Sequence, residues 1–187
     1  MRRMTAAPGV TKMNKLLMTA FAAGITLAVN GCGIARPDVP GSLEAPAGEK
    51  VILVGHATGV QVYACQSGPN APFAWALTGP EADLADSSGK KIIRHFVGPT
   101  WKHIDGSEIV GKKVAQQDAP KPDAIPWLLL QATSHAGQGA LTRVTSIQRL
   151  HTDGGLAPGA DSCNASANGR EFRSPYSADY YFYAPKK

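Results

Sequence analysis

Apolar and polar residues alternate along this chain in short runs broken by Gly and Pro, a period that suits strands better than helices. Lys50–Val54 and Val60–Cys65 are β-rich runs separated by Gly-His-Ala-Thr-Gly, which reads as a hairpin turn. Phe73–Leu77 is a third run, closed by Thr78-Gly79-Pro80, and Lys91–Val97 a fourth, closed by Gly98-Pro99. Trp127–Ala132 is continuously apolar at its start, as expected of a strand covered on both faces. Tyr176–Tyr183 alternates most clearly. Tyr176, Ala178, Tyr180 and Phe182 share one face, and Ser177, Asp179, Tyr181 and Tyr183 form a wetter one.

Two segments depart from this pattern. In Leu141–Leu150 the apolar residues recur every third position, but Thr142, Thr145 and the following Asp153-Gly154-Gly155 turn favour a strand. Pro80–Leu84 reads as a single helical turn. The stretch HFVGPTWKHIDGSEI (95–109) reads as a strand, a turn and the start of another strand. The expected fold is all-β: a single-domain β-sandwich or small barrel with short irregular connections. Its expected core is Ile52, Val62, Trp75, Leu77, Ile93, Phe96, Trp127, Leu129, Ile147 and Phe182.

The first 31 residues change the picture. A basic start, from Met1 or from Met13, leads into an apolar stretch, Leu16–Val29, too short to span a bilayer comfortably. Val29-Asn30-Gly31-Cys32 resembles a bacterial lipobox, which implies lipidation of Cys32 after cleavage, with Asn30 a departure from the usual residue. The expected organisation is a lipoprotein-type signal peptide over 1–31, a flexible Pro- and Gly-rich tether over 32–47, and one β-rich domain over 48–185. The full chain carries a net charge of +5, but four of its cations and none of its acids precede residue 32. The mature chain is left with a net charge of only +1 and no Lys/Arg cluster, which argues against nucleic acid as a partner. The expected partners are the membrane, through the lipid, and a small molecule, glycan or protein. The expected location is the periplasmic side of the bacterial envelope, or outside the cell without lipid.

With Cys32 lipidated, Cys65 and Cys163 remain and are expected to form a disulfide in an oxidising compartment. His95, His103 and Asp105, with distant His56 or His151, are candidate metal ligands, although a site needs three or four converging groups. The competing reading is structural: Asp105-Gly106 makes a tight turn that Ser107 supports, and both histidines are exposed. Neither Ser107 nor Ser134 lies in G-x-S-x-G, and the acid pairs Asp83/Asp86 and Asp105/Glu108 read as solvated turns. No G-x-G-x-x-G turn is present, so no dinucleotide site and no cofactor is expected. Trp101, after Gly-Pro-Thr, is the best candidate for an exposed aromatic platform, and Trp127 reads as core.

Six phrases in order, GVQVYAC, LTGPEADL, HFVGPTWKHIDGS, DAIPWLLLQA, IQRLHTDGG and YSADYYFY, resemble the domain-of-unknown-function family 3455 of secreted bacterial and fungal proteins. The resemblance covers about residues 40 to 184 and implies a single exported domain, with no activity or catalytic residue to carry over. The expectation is a lipid-anchored, non-catalytic binding domain. The alternative is a small metal-assisted extracytoplasmic enzyme using His95, His103 and Asp105.

Overall fold

The computed structural model describes residues 33–69 and 71–186, with Met1 and Gly9 besides. The expected signal peptide and Cys32 lie outside these residues. Eight strands follow one another: β1 (Glu49–Gln66), β2 (Ala74–Ala85), β3 (Lys91–Phe96), β4 (Thr100–His103), β5 (Glu108–Gln117), β6 (Trp127–Ala136), β7 (Ser146–Gly154) and β8 (Glu171–Pro185). Each pairs antiparallel with the next, and β8 returns to β1, closing a barrel. The closing ladder runs from Glu49↔Pro185 to Ala64↔Glu171 and leaves no free edge.

The inward face follows the alternation. Tyr176, Ala178, Tyr180 and Phe182 all point into the barrel and are buried, as their shared face predicts. Leu84, Ile93, Ile109, Leu141, Ile147 and Phe182 belong to the continuous interior cluster. They sit toward the end where the β2–β3, β4–β5 and β6–β7 connections lie.

Several expectations are corrected. Gly55–Gly59 is not a turn but the middle of β1. A Cβ at Gly59 would lie 2.2 Å from the Glu81 carbonyl oxygen, so glycine lets β1 and β2 approach there. Thr78-Gly79-Pro80 does not end a strand, and Pro80–Leu84 is not helical; both lie within β2. A bulge opposite Val62/Tyr63 absorbs the extra residue and accommodates the proline. Within Leu141–Leu150 only Ser146 onward is strand. Leu77 is 55% exposed rather than core, because it lies beside that bulge. Trp127 is half-buried on the outer wall, its ring edge-on to His151 at 5.4 Å. Val62, Ile93, Ile147 and Phe182 are buried as expected.

The segment before β1 packs on the barrel over its later part. Leu43 and Ala45 are buried, and the Leu43 carbonyl accepts from Gln148 Nε2 at 2.6 Å. Tyr183 Oη donates to Gln148 Oε1 at 2.5 Å, which explains why this outward residue is dry. Arg36 lies over the Tyr183 ring at 5.2 Å and donates to the carbonyls of Ala45, Pro46 and Glu49.

Cys65, at the end of β1, and Cys163, in the β7–β8 connection, are joined with an S–S distance of 2.01 Å. Ala167, Phe73 and Trp75 pack around the pair. The bridge spans a separation of 98 residues, for which chain entropy alone gives about 4.7 kcal/mol as an upper figure. Replacing both cysteines by alanine is expected to lower stability by about 2–5 kcal/mol in urea unfolding, and reductant should do the same to the unmodified protein. An unchanged midpoint in both experiments would show that the bond contributes nothing.

Candidate functional site

The other end of the barrel is not filled. A cavity of ≈ 250 Å³ lies between β1, β2, β3, β4, β5, β6, β7 and β8, near the Gly98-Pro99 turn. Its walls are Leu77, Pro80, Leu128 and Leu130, with Gln61, His95, Trp101, Lys113, Arg149 and Tyr180 as polar or aromatic members. Register explains the convergence. His95 pairs with Ala82 and Trp101, Arg149 with Leu128 and Tyr180, and Lys113 with Leu130, so all of these share the inward face.

His95 and Trp101 stack face to face, with centroids 4.3 Å apart and planes 5° from parallel. Tyr180 meets both edge-on, at 5.2 Å and 5.7 Å. Gly111 makes room for the indole, since a Cβ there would lie 2.9 Å from Trp101 Cζ3. His95 Nδ1 lies 2.8 Å from the Thr100 carbonyl oxygen. A carbonyl can only accept, so Nδ1 carries the proton and Nε2 keeps a bare lone pair. Burial holds this imidazole down at about 3, far below its ordinary 6.5; the Thr100 bond opposes the shift and the positive Arg149 adds to it. Burial likewise raises Tyr176 and Tyr180 above the usual phenol range. Trp101 Nε1 and Gln61 Nε2 are buried donors with no partner among the described residues. Each such donor costs about 1–3 kcal/mol unless something accepts from it.

The candidates read from sequence separate. Trp101 lines the cavity but is 1% exposed, not an open platform, because its strand turns it inward opposite His95. His95 is also buried, contrary to the expected exposure. His103, the last residue of β4, and Asp105, in the β4–β5 turn, lie together, Nδ1 to Oδ2 at 2.9 Å, and do not join His95. Asp105 is committed to structure: Oδ1 accepts from the Ser107 amide (2.9 Å) and hydroxyl (2.6 Å), and Oδ2 from the Ala140 amide (2.7 Å). Ser107 Oγ in turn accepts from the Leu141 amide at 3.1 Å, so this node ties the β4–β5 turn to the β6–β7 connection. Gly139 lies against it, and a Cβ there would fall 2.2 Å from Asp105 Oδ2. The Ser107 hydroxyl holds the Asp105 carboxyl below its usual range, helped by the Ala140 and Ser107 amides.

His56 and His151 meet elsewhere, on the outer wall. Both Nδ1 atoms contact Asp179, at 2.6 Å and 2.8 Å, one on each carboxylate oxygen. His151 adopts φ 50° in the β7 bulge, a left-handed conformation uncommon for a side-chain-bearing residue. Among the described residues no three His, Cys, Asp or Glu side chains are grouped to hold a metal ion. Gln61, Lys113, Arg149 and Tyr180 were not legible as one site. Their one signal is phase: Arg149 follows Ile147 by two residues, which puts a cation on a core-facing row.

Two outcomes test these assignments. Between pH 6.5 and about 3 the unfolded chain binds a proton that folded His95 refuses, so stability falls with pH, by up to about 1.4 kcal/mol per unit. In His95→Gln that part of the acid dependence should vanish, as read by urea melts at pH 7.5 and pH 5; equal slopes would refute the burial of a neutral ring. Asp105→Ala should lower the melting temperature at pH 7, because its depressed carboxyl stabilises the fold above the ordinary carboxylate range. The deficit should narrow as pH falls below about 4.

No curated protein and no solved structure matches the chain. The family model described as "Protein of unknown function (DUF3455)" matches residues 46–184, a span that takes in every strand lining the cavity. The chain therefore belongs to that family.

Proposed function

We propose that the protein is an exported, non-catalytic binding module that takes a small, largely apolar molecule into the open end of its barrel. The supporting observation is the cavity itself: an apolar wall of Leu77, Pro80, Leu128 and Leu130 beside the aromatic residues Trp101, His95 and Tyr180, with few polar groups. Apolar pockets with a few placed polar groups are the usual form of small-molecule sites. At ≈ 250 Å³ the space exceeds the roughly 150 Å³ that accommodates benzene, which suits one or two fused rings.

Export is supported by the Cys65–Cys163 disulfide, which implies an oxidising environment. The lipobox-like Val29–Cys32 supports a lipid anchor at Cys32 on the outer side of a bacterial membrane. Among the described residues no helix is long and apolar enough to cross a membrane.

The test is calorimetric titration with uncharged 2-naphthamide. Saturable one-to-one binding is expected, with a Kd between about 1 µM and 1 mM. Leu128→Trp should fill the cavity and weaken binding at least about tenfold while the protein still melts cooperatively. Absent saturation, or unchanged affinity in folded Leu128→Trp, would overturn the reading.

A further inference from the structure

The lining of the cavity has one sign of charge. Arg149 and Lys113 contribute to it, and no lining residue is Asp or Glu. Lys113 is exposed at the rim, whereas Arg149 is half-buried beside Tyr180. The guanidinium is held in place from one side: Nε and Nη2 donate to the Pro126 carbonyl at 3.3 Å and 2.8 Å. Arg149 has no carboxylate partner among the described residues, and a cation withdrawn from water without one is costly. Its charge is felt by His95, Tyr63, Tyr176 and Tyr180, the polar rings of the interior.

A fixed guanidinium that lines the cavity with no carboxylate beside it among the described residues suits a head group that accepts several hydrogen bonds and donates none. A carboxylate has that character, and its pairing with Arg is charge-assisted and forked. Leu77, Pro80, Leu128 and Leu130 offer nothing polar to the remainder of a ligand.

We infer that the barrel is selective for small organic carboxylates, with Arg149 holding the carboxylate and the ring-bearing body lying between Leu128, Leu130 and the Trp101–His95 stack. Lys113 adds attraction at the entrance. The inference rests on the binding reading above and names the chemistry of its ligand.

Isothermal titration with 2-naphthoate and its uncharged counterpart 2-naphthamide separates the two. At pH 7 and low salt the wild type should bind the acid at least about tenfold tighter, a gap that narrows with added salt. Arg149→Gln should abolish the preference, bringing the affinities of acid and amide to within about twofold of each other. Arg149→Lys, which keeps the charge without the fork, should retain a smaller preference. The wild-type comparison stands whether or not Arg149→Gln folds, and cooperative melting decides which variants are read. Equal affinity for acid and amide in the wild type would overturn carboxylate selectivity while leaving the binding barrel intact. A full preference persisting in folded Arg149→Gln would overturn the role of Arg149. Failure of 2-naphthamide to saturate would overturn the binding reading, and failure of 2-naphthoate as well would overturn this inference with it.

Discussion

The pairing of β8 with β1 is the constraint on which the rest of the molecule depends. Once the ladder from Glu49↔Pro185 to Ala64↔Glu171 closes the sheet, every second side chain is committed to a single enclosed interior. Tyr180 and Phe182 then face Ile147 and Arg149 across β7, and β1 contributes Ala57, Gly59 and Gln61. A one-residue slip in that ladder would turn the whole aromatic row outward, so the register is held by the burial it produces.

The interior is filled unevenly, and residue size accounts for it. Toward one end Leu84, Ile93, Ile109, Leu141 and Phe182 meet across the barrel, and the Asp105–Ser107 node fastens the connections over them. Toward the other end Pro80 and polar Gln61, Arg149 and Lys113 take the inward positions, and the Gly98-Pro99 turn adds no bulk. The His95–Trp101 stack lies at the boundary, buried but lining the open half. Neutral His95 belongs to that boundary for a plain reason: a charged ring so deeply buried would lack water and counter-ion alike.

The strands of this protein were largely legible in its sequence, and the way they curl was not. Tyr176–Tyr183 shows its inward face without help, because period-two alternation is local. The breaks placed at Gly55–Gly59 and Thr78–Pro80 failed because Gly and Pro serve a second purpose inside sheets, permitting close approach and bulges. Trp101 and His95 were picked out by residue type, yet their burial depends on partners in β5 and β8 that lie far along the chain. Arg149 and Gln61 stayed hidden for the same reason, since only closure shows that their strands look onto one space. Asp105 was read correctly as a turn residue, because its bonds to Ser107 are local.

The docking of Arg36 bears on how far the barrel can stray from whatever holds its front end. A linker of sixteen loose residues would let the domain roam over several nanometres. With the guanidinium fastened over Tyr183 and bonded to three carbonyls, the chain is pinned to the barrel at residue 36. A fatty acyl chain on Cys32, as proposed, would then act through four residues, a leash of no more than about 15 Å. Under that proposal the barrel would ride close against a membrane, sampling molecules at the lipid surface instead of the open solution beyond it.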